Sequence, residues 1–154
     1  MTLEPIVVEI TLETTGTAAF DAFVHRINDW WPMDPFSMSQ GLLSFEPILG
    51  GQIVETSAKG ERFVWGHVTA IEKPKRIEIA WYVGSTVDTA TQIAVTFDTG
   101  EDGTTTVRLV QSGWEALGDK AAQIRPRNDS GWRQILGTSF TEFIVKQSKE
   151  QPRV

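Results

Sequence analysis

The hydrophobic and polar positions change period three times along the chain. Ile6, Val8, Ile10 and Leu12 alternate with Glu9, Thr11 and Glu13, predicting a half-buried first strand. Thr14-Thr15-Gly16-Thr17 supplies a turn and a helix cap, after which Phe20, Phe23, Val24 and Ile27 fall at helical spacing as one apolar stripe. Pro32 and Pro35 stop any long continuation, so residues 30–38 read as a short second helix or an irregular lid. Six strand-like segments follow: Leu42–Glu46, Gln52–Ser57, Phe63–Ile71, Arg76–Val83, Thr91–Asp98 and Thr104–Gln111. Turn chemistry separates them, at Pro47 with Gly50-Gly51, Lys59-Gly60, Lys73-Pro74 and Glu101-Asp102-Gly103.

Residues 112–127 carry mixed signals. Residues 116–124 suit a helix, whereas Gly113, Gly118 and Pro126 suit an irregular connection. Asp129 or Ser130 is expected to cap a final helix on which Trp132, Leu136, Phe140 and Phe143 share one face. The charged tail from Lys146 is expected to fray, leaving a single domain with an ordered core of about residues 5–146.

This order predicts an α+β fold: a curved antiparallel meander with one buried face, crossed by one amphipathic helix. A helix is narrower than such a sheet, so some apolar sheet surface stays uncovered and a pocket results. Trp30 and Trp31 are adjacent, and two indoles in succession are expected to diverge, with at least one free to line a cleft.

Composition narrows the possibilities. The 154 residues carry a formal charge of −6, which disfavours nucleic acid and anionic membranes as partners. There is no cysteine, so thiolate nucleophiles, disulfides and zinc–thiolate sites are absent. Met1-Thr2-Leu3-Glu4-Pro5 has no signal-peptide character and no apolar run has membrane-spanning length, so a cytoplasmic location is the expectation. No nucleophile elbow or phosphate-binding glycine loop occurs. His25 and His67 lack the spacing of a metal pair, so no metal and no cofactor are expected.

Two side chains remain as candidates for chemistry. His67 shares strand parity with Phe63 and Trp65; it either faces the interior as a proton shuttle or is a half-buried histidine bonded to a neighbouring strand. Glu55 shares a face with Ile53 and Ser57. If that face is interior, desolvation would raise its pKa, with Arg62 able to pair with it across the sheet and Arg108, which alternates with Val107 and Leu109, expected to point outward; if Val54 points inward instead, Glu55 is solvated.

Trp30-Trp31-Pro32, Pro47 before Gly50-Gly51, Trp65-Gly66-His67-Val68, Trp81 and Gly131-Trp132 occur in an order that resembles the START-like (birch-allergen-type, helix-grip) superfamily. Within it the chain is similar to the branch homologous to the heat-shock-protein ATPase activator, from about Ile6 to Phe143. The resemblance implies a seven-stranded antiparallel sheet wrapped around the C-terminal helix, with two short helices closing one end. The expected function is binding of a small hydrophobic or aromatic molecule between sheet and helix, without assignable catalysis. The expected ligand-binding residues are Trp31, Phe36, Glu55, Trp65, His67, Trp81, Trp114, Trp132, Leu136 and Phe140. Two alternatives stand beside it: a polyketide cyclase or dehydratase using Glu55 or His67 as acid or base, and a chaperone-associated module presenting Trp30, Pro32, Met33, Phe36 and Met38. Monomer and homodimer are both open.

Overall fold

The computed structural model describes residues 3–150. β1 (Ile6–Leu12) leads into α1 (Gly16–His25) and α2 (Ile27–Trp30). Then come β2 (Leu42–Phe45), β3 (Gln52–Thr56), β4 (Arg62–Glu72), β5 (Arg76–Trp81), β6 (Thr91–Thr99) and β7 (Thr105–Ser112). All neighbours pair antiparallel in the order β1-β7-β6-β5-β4-β3-β2, so the meander from β2 to β7 is completed by β1 at its far edge. A 3-10 segment (Trp114–Lys120) precedes the C-terminal helix, which comprises α3 (Ala121–Gln134), a π-helical stretch (Ile135–Phe140) and α4 (Thr141–Glu150). The expected α+β architecture, a seven-stranded sheet curled around this helix with two short helices after the first strand, is the one observed.

The core forms where alternation along strands meets the helix stripe. Ile53, Val68, Ile79, Val95 and Leu109 point inward from successive strands and join Trp132, Ile135, Leu136, Phe140 and Ile144 in one cluster. Phe20 and Phe23 of α1 close that cluster at one end, edge-on to Phe97. Thr15 caps α1 by accepting from the Ala18 N–H at 3.0 Å. Gly16 donates to Thr99 Oγ1 at 3.1 Å, an approach a Cβ would obstruct.

Three expectations change. The final helix is not capped at Asp129 or Ser130. It begins at Ala121 and runs through Pro126, whose missing N–H would have met the carbonyl of Ala122 on an exposed turn where water can serve instead. Asp129 binds the side chain of Arg133 one turn on. The π-helical stretch then shifts the helix phase, so Ile144 is buried and Phe143 only half-buried, beneath the guanidinium of Arg26. The helix also continues past Lys146 to Glu150; the rest of the tail expected to fray, residues 151–154, lies outside the described residues.

Both adjacent indoles are buried, and Trp31 lines a cleft, as one of the two rings was expected to. Trp30 ends α2 and Trp31 is extended, so the rings do diverge, but into two halves of one core. Trp30 packs on Phe23 and Phe140; Trp31 packs on Trp65, Trp81 and Trp132.

Candidate functional site

The helix does not fill the sheet where α3 passes β4 and β5. A partly open pocket of about 270 Å³ remains there. Its walls come from four places: Trp31, Pro35, Phe36 and Ser37 from the irregular lid; Trp65 and Trp81 from β4 and β5; Val83 from the following loop; and Arg127, Asn128, Gly131, Trp132 and Ile135 from the helix. The four indoles contact one another, with ring centroids 5.0 Å apart for Trp31–Trp65, 5.3 Å for Trp81–Trp132 and 5.8 Å for Trp31–Trp132. Gly131 lets the lid approach: a Cβ there would lie 3.2 Å from the Phe36 ring.

The indole N–H groups are mostly committed to the protein. Trp30 donates to Ala22 O, Trp31 to Phe36 O and Trp65 to Glu55 Oε1. Trp114 donates to Gln111 O and Trp132 to Gln111 Oε1. Trp81, half-buried in the pocket wall, has no acceptor for its Nε1 among the described residues. These bonds fix ring orientations, so the pocket walls are preorganised.

Glu55 is interior and fully buried, but it is a fastening for the lid and lines no part of the pocket. Oε1 accepts from Met38 N at 2.8 Å and Trp65 Nε1 at 3.1 Å. Oε2 accepts from Ser39 N and Ser39 Oγ, each at 2.6 Å, and from Gly41 N at 3.1 Å. Burial alone would raise its pKa, yet the bonds from Ser39, Met38 and Gly41 outweigh that and hold it below the ordinary carboxylate value. The expected upward shift is thus reversed, because every donor around the carboxylate stabilises its charged form. Neither Arg62 nor Arg108 reaches it; both are exposed. Gly41 is required at the lid's end, where a Cβ would overlap the Thr56 carbonyl.

His67 lies on the other side of the sheet. Ile53 pairs with Gly66 and Val54 with Val64, so Trp65 is an extra residue in β4. The bulge breaks the alternation: Val68 enters the core, and His67 joins Ala80 and Gln52 on the outer face. There its Nδ1 is hydrogen-bonded to Tyr82 Oη at 3.0 Å, and burial raises the Tyr82 pKa. Of the two readings of His67, the half-buried histidine bonded beside a neighbouring strand is the one observed, and the inward-facing one fails because a bulge leaves no mark in the hydrophobic pattern.

Of the expected binding residues, Trp31, Phe36, Trp65, Trp81 and Trp132 meet at the pocket. Leu136 and Phe140 are fully buried beneath it. Trp114 borders a neighbouring hollow of about 400 Å³ that shares Trp81, Val83 and Asn128 with the first. Pro35, Ser37, Val83, Arg127, Asn128, Gly131 and Ile135 were not anticipated. Running the helical period back through Pro126 would have placed Arg127, Gly131 and Ile135 on one face.

Residues 6–144 match the family described as "Activator of Hsp90 ATPase homolog 1-like protein", and the chain belongs to that family. None of the curated proteins matches it. Many solved structures share the fold, three of them as follows. One is an anthrahydroquino-gamma-pyrone synthase complexed with SUM, at 27% identity over 83% of this chain and 88% of that one, TM-score 0.58. The second is a self-sacrificing resistance protein, CalC from Micromonospora echinospora, at 23% identity over 98% of both chains, TM-score 0.70. The third is an HSP90 activator from Plasmodium falciparum, at 17% identity over 71% of this chain and 73% of that one, TM-score 0.53. Among the described residues no helix is long and apolar enough to cross a membrane, and no side-chain cluster is arranged to hold a metal ion.

Proposed function

We propose that this protein binds a small, planar, largely apolar molecule in the pocket between the lid, β4–β5 and α3. The observation that carries the reading is a hollow of about 270 Å³ walled by Trp31, Trp65, Trp81 and Trp132, three of whose indole N–H groups are bonded within the protein. Apolar walls with few directed polar groups suit a planar ring system, and the volume sits near the small end of ligand sites, about 300–1,000 Å³. The Trp81 N–H is free to orient an acceptor on the ligand.

Titration with anilinonaphthalene sulfonate, followed by intrinsic and probe fluorescence, tests this. A saturable response in wild type that Gly131→Leu abolishes is expected. A response unchanged in that variant, or no response in wild type, would sink it.

A second reading, an enzyme acting on a polycyclic substrate, is supported by the 27%-identical synthase. It cannot use the expected acid–base pair in this conformation, since Glu55 is spent on the lid and His67 points away from the pocket. Turnover of a polycyclic ketone that survives both Glu55→Gln and His67→Ala would favour an enzyme with a different acid or base. The chaperone-associated reading rests on family membership. The lid residues proposed for that surface are largely engaged inward, with Trp30 and Trp31 buried and Phe36 lining the pocket. Failure of the immobilised protein to retain an Hsp90 chaperone at working concentrations would count against it.

A further inference from the structure

The pocket's charge is as informative as its rings. The chain carries 20 carboxylate side chains against 14 basic ones, yet no carboxylate lines the pocket and one cation does, Arg127. The other two arginines of α3 are occupied. Arg125 donates to the carbonyls of Glu4 and Pro5, and Arg133 is paired with Asp129. Arg127 is exposed at the pocket, with no hydrogen bond, ion pair or ring contact to any described residue. Its nearest carboxylate in sequence, Asp129, is already taken by Arg133.

Helical geometry explains why Arg127 stands there. Arg127, Gly131 and Ile135 succeed one another at four-residue steps, so the guanidinium lies one turn before the glycine that forms the pocket floor. A second unspent donor in the wall, the Trp81 N–H, also seeks an acceptor. A quaternary ammonium would fit indole walls by cation–π attraction, but an unpaired guanidinium at the same pocket opposes it.

Resting on the reading that the pocket binds a planar molecule, we propose that its ligand is an aromatic anion. The ring system lies among the indoles, and a carboxylate or phenolate group at its edge is held by Arg127. A planar guanidinium is suited to such an oxyanion because it offers parallel donors in one fork.

Calorimetric titration with 2-naphthoate, neutral 2-naphthamide and cationic 2-naphthylmethylamine separates the two levels of inference. The expected result is that wild type prefers naphthoate over naphthamide about ten-fold, with the amine weakest, and that Arg127→Gln removes the preference by weakening naphthoate much more than naphthamide. Arg127 is exposed, so this substitution leaves the core intact. Equal binding of all three probes, or a preference that survives Arg127→Gln, overturns the assignment of charge while the pocket stands. If none of the three binds, the pocket reading falls and this inference falls with it.

Discussion

Replacing Glu55 by glutamine should loosen the lid while preserving side-chain volume. The carboxylate accepts five hydrogen bonds, two at Oε1 and three at Oε2. An amide must present its NH₂ to one of these sets, and the smaller loss is at Oε1, where Met38 N and Trp65 Nε1 would face a donor. Two bonds vanish there, and the other three weaken from charge-assisted to neutral. Each charge-assisted bond is worth roughly 1.5–3 kcal/mol and each neutral one about 1 kcal/mol. Relief from burying a charge offsets part of this, leaving a net destabilisation of about 3 kcal/mol. At about 2–4 °C per kcal/mol for a chain of this size, the melting temperature should fall by about 6–12 °C.

The pH dependence supplies an independent check. The folded-state pKa of Glu55 is depressed, so its stabilisation is complete above the unfolded value of about 4.5 and is lost as pH falls through the lower folded value. The gap in melting temperature between wild type and Glu55→Gln should therefore be constant near neutrality and close below about pH 4.5. Thermal denaturation followed by circular dichroism across this range measures both. A shift under roughly 2 °C at pH 7, or a gap that widens in acid, would refute the fastening role.

Further outcomes are expected. Gly131→Leu should abolish probe binding because its side chain enters the pocket and presses on Phe36, with little change in far-ultraviolet circular dichroism. His67→Ala should leave probe affinity within about two-fold of wild type, a small energetic change, because the imidazole lies on the outer face beside Tyr82; titration of the variant measures this. Thr15→Ala should cost about 1 kcal/mol in denaturant unfolding through loss of the α1 cap. Trp31→Ala should cost about 3–5 kcal/mol, since Trp31 touches Trp30, Trp65, Trp81 and Trp132, and should reduce probe binding in the same protein.

The one-dimensional pattern determined the seven strands, the existence of a C-terminal helix and the fold class. Period-two alternation in seven segments and a helical stripe ending the chain are local properties that burial of one face enforces, so each strand was visible before its partner was known. Five of the pocket-lining aromatics were legible for the same reason, as large apolar rings on inward faces near element ends. What the tertiary structure alone decided were features set by partners distant in sequence. The bulge at Trp65 follows from how β4 must pair with β3, and it alone turns His67 outward. Glu55 keeps its charge because lid backbone amides from Met38 to Gly41 converge on it, and an isolated glutamate in a strand carries no sign of donors 14 to 17 residues away. Arg127 reached the pocket because the helix runs through Pro126, a residue that in isolation signals a break but is tolerated where the affected carbonyl faces water. Periodicity reports which face is apolar; only packing reports what each polar group on that face has found to bond.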